Sequence, residues 1–203
     1  RYRPIPQLDA RASLGLDPDA ELIVYVGRVI PRKDIRNVVR ALARLGEMRR
    51  ARDDASLPTL LIVGGETAEP DVQATPEIGV LQDLANELGV GGQVRFMGRH
   101  QPAELYRWYS AADVAVTTPW YEPFGLTPLE AMACAVPALG ARATGSSTII
   151  QDGRTGFLCE PGAVSAFADR LESYVRDPDL RIRHARASSL EAERYHWDPI
   201  NEA

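Results

Sequence analysis

Only two cysteines stand among the 203 residues, so a disulfide framework is excluded. Cys134 and Cys159 both lie in apolar segments, where a thiol is usually buried and inert. No run approaches the ~20 consecutive apolar residues that a membrane span requires. No apolar stretch follows Arg1-Tyr2-Arg3-Pro4 to make a signal peptide. Positive charge is not in excess. Lys and Arg total 23 against 28 Asp and Glu, a net charge of −5, which argues against nucleic acid as the main partner. No metal-ligand cluster of His, Cys, Asp and Glu is visible, so no metal is expected. Neither G-x-G-x-x-G nor a P-loop is present, which disfavours a dinucleotide enzyme and an ATPase. Disorder is also disfavoured: 45% apolar and 25% charged residues are ordinary for a globular domain. A chain of this length buries roughly 70% of its unfolded surface without a staple.

What is present is an alternation. Short apolar runs at 22–26, 59–63, 94–97, 114–116, 137–139 and 156–159 read as strands. Between them, apolar residues at helical spacing predict helices over 35–45, 78–88, 103–112 and about 128–134. Residues 163–193 read as two helices broken near Pro178. This pattern predicts an α/β fold: a Rossmann-like three-layer sandwich with a parallel sheet of about six strands. One domain is expected over 1–203, with a linker and lead-in helix at 1–19, a core at 20–161 and C-terminal helices at 162–203. Ligands of such sheets bind at the carboxyl ends of the strands. Gly27, Gly64, Gly98 and the stretch after Thr118 should therefore line one edge. Residues 47–57 and 65–76 read as polar loops, with Arg49, Arg50 and Arg52 as a solvated patch. Asp198 and Pro199 read as the N-cap and first residue of a helix that does not continue, as if the chain were cut there.

The densest stretch runs from Thr118 to Ala133. Thr127, Pro128 and Glu130 read as a capping box, with Thr127 as N-cap and Glu130 three residues on. The helix start would present unpaired amides to an anion, beneath a loop that Gly125 lets approach closely. Glu122, between Tyr121 and Pro123, needs a partner such as a sugar hydroxyl or a basic side chain, or else lies exposed. A second cluster, Gly27-Arg28-Val29-Ile30-Pro31-Arg32-Lys33, follows the first strand. Arg28 and Lys33 there are either a surface pair flanking a helix start or the holders of an anion, and positive charge opposing the helix dipole favours the anion.

Together these blocks resemble the C-terminal, donor-binding domain of retaining GT-B-fold glycosyltransferases, the group that includes sucrose-phosphate synthases. The resemblance rests on Glu122 and Glu130 with seven residues between them, and on Gly27-Arg28 with Lys33. Arg95-Phe96-Met97-Gly98, Tyr109-Ser110-Ala111-Ala112-Asp113 and Asp152-Gly153-Arg154-Thr155-Gly156-Phe157-Leu158 stand around these in the family's order. It is close over 20–161.

The resemblance implies one half of a GT-B fold that binds a nucleotide-diphosphate sugar as donor and needs no cofactor. By it, Arg28, Lys33 and Glu122 are the catalytic set. Arg28 and Lys33 would hold the diphosphate, and Glu122 the sugar hydroxyls. Gly27, Arg99, His100, Phe124, Gly125, Leu126, Thr127, Glu130, Thr144 and Gly145 would contact the donor. Of these, Glu130 would take the ribose hydroxyls, and Arg99 and His100 would lie near the base through their backbone. Trp108 and Tyr109 read as packing groups. The acceptor, a sugar, lipid or small molecule, would be bound by an N-terminal domain that this chain lacks, so the isolated chain is expected to be inactive. The alternatives are a non-catalytic nucleotide-sugar module or a GT-B epimerase or phosphorylase. A cytoplasmic protein is expected, with peripheral membrane contact open in a longer form. Four departures stand out: Asp34 and Ala135 where glycine is usual, Thr144 where the first of two glycines is usual, and Thr148 where many members carry Glu. Thr144 is expected to narrow a loop at 143–148.

Overall fold

The computed structural model describes residues 2–54 and 56–195; the Asp198–Pro199 helix start lies outside them. In chain order the elements are α1 (Gln7–Ser13), β1 (Leu22–Val26), α2 (Ile35–Arg50), β2 (Thr59–Val63), α3 (Pro76–Glu87), β3 (Val94–Gly98) and α4 (Leu105–Ala111). There follow β4 (Val114–Thr117), α5 (Leu126–Ala133), β5 (Ala138–Ala141), α6 (Thr144–Ile149), β6 (Gly156–Cys159), α7 (Val164–Arg176) and α8 (Pro178–Ala192). Among the described residues the strands form one six-stranded sheet in the order β3-β2-β1-β4-β5-β6. Every pairing is parallel. This is the doubly wound arrangement that the alternation predicts.

Side-chain alternation along β1 divides the core. Ile23 and Tyr25 join the layer of α2, α3 and α7, while Leu22, Val24 and Val26 join that of α1, α4 and α5. All five are buried, because a strand covered on both faces needs apolar groups at every position. At the edge, β3 exposes Arg95. The segment before β1 is anchored rather than a loose linker. Arg11, itself buried, donates to the Ala111 carbonyl at 2.9 Å and pairs with Asp113 at 3.2 Å. Pro178 opens α8, and the Asp177 side chain caps it by accepting from the Leu180 N–H. Cys134 and Cys159 are buried. Burial and the nearby Glu130 charge push the Cys134 thiol up to about 12. No helix among the described residues is long and apolar enough to cross a membrane.

The expected arginine patch is partly wrong. Residues 47–50 continue α2, and Arg49 is 1% exposed. Its Nε lies 2.9 Å from Glu172 on α7, and its Nη1 lies 2.9 Å from Glu21. Burial disfavours the guanidinium, but the two carboxylates outweigh it and raise its pKa. A loop reading failed because the carboxylates that make this arginine bury are distant in sequence.

Ala135 adopts φ +55, the left-handed conformation that costs an L residue about 1–2 kcal/mol. The residue after α5 therefore has a backbone reason to favour glycine. Ala135→Gly should raise the unfolding free energy by about 1 kcal/mol in urea titration. Arg49→Ala should lower it by about 3 kcal/mol, since it empties a buried site and leaves Glu172 only the half-exposed Arg52 and Arg176 as partners. Arg52→Ala, which removes an exposed partner of the same carboxylate, should change it by less than about 1 kcal/mol.

Candidate functional site

Strand order reverses between β1 and β4, so the chain leaves these neighbouring strands towards opposite sides and opens a crevice at their carboxyl ends. The loop after β1 includes a 3-10 turn at Pro31–Lys33 and ends at Asp34, whose φ 47 and ψ 43 are left-handed. The loop after β4 faces it, and hydrogen bonds join the two. Thr118, fully buried, donates its hydroxyl to the carbonyls of Lys33 and Asp34 at 3.1 and 2.9 Å. The Trp120 N–H donates to the Arg32 carbonyl at 3.2 Å. Lys33 Nζ lies 2.6 Å from Glu122 Oε2, with only 17% and 11% of the two side chains exposed.

Glu122 is thus neither exposed nor unpartnered. Burial works against its charge. The hydrogen bond and charge of Lys33, with the amides of Gly125 and Phe124, outweigh burial and hold its pKa below the usual carboxylate range. The Gly125 N–H reaches Glu122 Oε1 at 3.4 Å. Asp34 is shifted the other way: burial raises it despite a hydrogen bond from the Trp120 side chain and the nearby charge of Arg40.

The expected capping box does not form. Helix α5 begins at Leu126, and Gly125, at φ 70, is its N-cap with no side-chain cap. Thr127 therefore lies inside the first turn. Glu130 Oε2 instead accepts from the Tyr109 hydroxyl at 2.9 Å. Tyr109 packs with no exposed surface, as expected, but its hydroxyl must find a partner when buried. That requirement was the sequence signal that could have tied α4 to Glu130. Nothing comparable marked Thr118.

The stretch expected as a loop at 143–148 is largely helical, forming α6. Its backbone touches the Glu122 loop directly. The Gly145 N–H donates to the Glu122 carbonyl at 2.6 Å. A Cβ on Gly125 would fall 2.6 Å from the Gly145 oxygen, and one on Gly145 would fall 2.5 Å from the Gly125 nitrogen. Only glycine fits on both sides of this contact. Thr144, at the start of α6, is exposed, as are Phe124 and Leu126.

Gly27, Arg28, Arg99 and His100 gather in a separate cleft, which neither Lys33 nor Glu122 lines. With Gly64 and Gly65 they line its volume of about 220 Å³, at the glycine-lined edge expected from the strand ends. Arg28 is exposed, and its carbonyl accepts from the Tyr25 hydroxyl at 2.9 Å. Among the described residues no hydrogen bond or ion pair joins Arg28 to Lys33 or Glu122. His100 Nε2 lies 3.1 Å from the Met97 carbonyl and its ring packs on Trp108 at 4.8 Å, contacts that suit positioning more than proton transfer. A cavity of about 320 Å³ opens at the opposite sheet edge, where Asp113 and Arg181 line it. That carboxylate already pairs with Arg11 and Arg181 and accepts from the Leu22 N–H, so its role is structural.

Residues 7–189 match the model of the family described as glycosyl transferases group 1. A D-inositol 3-phosphate glycosyltransferase of Gordonia bronchialis is 35% identical over 97% of this chain and 42% of its own length. The sucrose-phosphate synthase of Thermosynechococcus elongatus superposes with a TM-score of 0.85 at 30% identity, over 98% of this chain and 47% of that one. Anabaena HepE, solved in complex with UDP and glucose, superposes at 0.83 with 23% identity, over 99% of this chain and 52% of that one. This last likeness is one of fold. The chain spans about half the length of these proteins.

The lowered Glu122 pKa makes a pH prediction. A carboxylate with a folded pKa below its unfolded value of 4.5 stabilises fully above that value and ceases to do so as pH falls through the folded one. The stability advantage of the parent over Glu122→Gln, measured by urea unfolding, should be steady from neutral pH to about pH 5.5. It should shrink below 4.5.

Proposed function

The chain belongs to the glycosyl transferases group 1 family, and from that premise we propose that it is the donor-binding half of a retaining glycosyltransferase. It would bind a nucleotide-diphosphate sugar and present the sugar to an acceptor hydroxyl held elsewhere in a longer protein. The observation that carries this reading is the Lys33–Glu122 pair, 2.6 Å apart and largely buried, at the crevice where strand order reverses. A cation there suits a diphosphate, and a carboxylate beside it suits sugar hydroxyls.

The proposed roles are those that the family resemblance implies. Lys33, with Arg28 from the neighbouring cleft, stabilises the diphosphate as its bond to the sugar breaks and negative charge grows on it. Two fixed cations do the work that a metal ion does elsewhere, so the reaction is proposed to be metal-independent. Glu122 accepts from hydroxyls of the donor sugar. The amides of Phe124, Gly125 and Leu126 face the sugar and phosphates at the start of α5, with Thr127 beside them. Glu130, oriented by Tyr109, takes the ribose hydroxyls. Arg99 and His100 border the base from the 220 Å³ cleft, and Thr144 and Gly145 close the phosphate side. The acceptor hydroxyl attacks the face from which the diphosphate leaves, and a departing phosphate oxygen takes its proton, so configuration is retained. Both reactants must be held in near-attack geometry for this.

A thermal-shift panel with UDP, GDP and ADP tests the reading. A ligand at ~100 times its Kd should stabilise the chain by about 2.7 kcal/mol. One nucleotide should raise the midpoint of the parent and not of Arg28→Ala. The isolated chain should transfer no sugar to any acceptor. Robust transfer by it, or no nucleotide response at millimolar concentration from either the chain or a longer form, would overturn the proposal.

A further inference from the structure

Lys33 already has an opposite charge beside it within the chain. Its ammonium lies 2.6 Å from Glu122 Oε2, and the Glu122 carboxylate is held in place by the Gly125 N–H. The Glu122 carbonyl is fixed as well, by the Gly145 N–H at 2.6 Å. The carboxylate therefore cannot swing far from the place where a diphosphate would meet Lys33. An arriving diphosphate faces a bound negative charge as well as a positive one. We propose, on the donor-binding reading above, that Glu122 competes with the diphosphate for Lys33 and that sugar hydroxyls relieve this competition by giving Glu122 a new partner.

This exchange makes the site discriminate. A sugar nucleotide supplies both halves: phosphate oxygens for Lys33 and hydroxyl donors for Glu122. A bare nucleotide diphosphate supplies only the first and leaves a desolvated carboxylate facing an anion. Such juxtaposed like charges are costly where water is excluded. The donor is thus favoured over the product of its own transfer. Once the sugar has left, the Glu122 carboxylate, still beside Lys33, has lost its hydroxyl partners and its charge helps to expel the nucleotide. Glu122 then serves as a specificity-determining residue in addition to contacting the sugar.

The test uses bare diphosphates, inorganic pyrophosphate and UDP, titrated calorimetrically into the parent and into Glu122→Gln. The amide keeps the shape and one accepting oxygen, replaces the other with a donor, and removes the competing charge. The variant should bind both about tenfold more tightly. Lys33 is the sole lysine in the sequence, so a lysine-selective 13Cε label gives one NMR signal. That signal should shift on pyrophosphate addition in both proteins and saturate at a lower concentration in the variant. If Glu122→Gln does not fold, Glu122→Asp draws the charge back by one methylene, and it too should bind more tightly than the parent. Equal or weaker binding by the folded variant, with binding by the parent intact, overturns the exchange and leaves the donor site standing. A Lys33 signal that does not move while the parent binds also overturns it. Failure of parent and variant alike to bind either diphosphate, both as this chain and in a longer form, overturns both readings.

Discussion

The reversal of strand order between β1 and β4 is the constraint on which this site depends. Adjacent parallel strands whose chains depart in opposite directions leave a crevice at their carboxyl ends. Their two loops must then be held against each other by groups of their own. Thr118 does this from within, through the carbonyls of Lys33 and Asp34. Lys33 and Glu122 do it at the mouth. The interaction that closes the crevice is thus made by the same two side chains for which donor binding is proposed.

Backbone geometry supplies the second layer of control. Gly125 and Gly145 meet so closely that neither has room for a Cβ. This contact keeps the Glu122 loop against α6 and sets where α5 begins. Elsewhere the chain accepts left-handed strain without glycine. Asp34 turns the β1 loop into α2 at φ 47, and Ala135 follows α5 at φ 55. Asp tolerates that region better than Ala, because its short polar side chain can bond locally. At both positions, where the resemblance leads one to expect glycine, the backbone is left-handed, the conformation that favours glycine. These departures do not mark a changed fold.

Away from the crevice, stability draws on buried ion pairs as well as apolar packing. Arg49 lies between Glu21 and Glu172 and ties α2 to α7. Arg11 and Asp113 tie the segment before β1 to the start of β4. Such pairs are costly to break and contribute modestly when intact. They fix how the helical layers sit on the sheet, and hence where the loops at its carboxyl edge emerge.

The alternation of apolar runs with helical periodicity determined, from sequence alone, a parallel α/β sheet and the edge at which its glycine-ended strands gather. Both depend on local patterning, which is written residue by residue. Glu122 was singled out there by its flanking tyrosine and proline, Glu130 by its spacing from Thr127, Arg28 and Lys33 as positive charge before a helix, and all four by the family resemblance. Tertiary structure alone decided their partners. Glu130 belongs to Tyr109 rather than to a capping box, because a buried phenol brought in by α4 reaches it. Glu122 belongs to Lys33, 89 residues away in the chain, and Arg49 belongs to Glu172, 123 away. Sequence periodicity reports which face of an element is buried. It does not report which charged group on a distant element arrives at that face, since this depends on strand order and helix packing across the whole sheet.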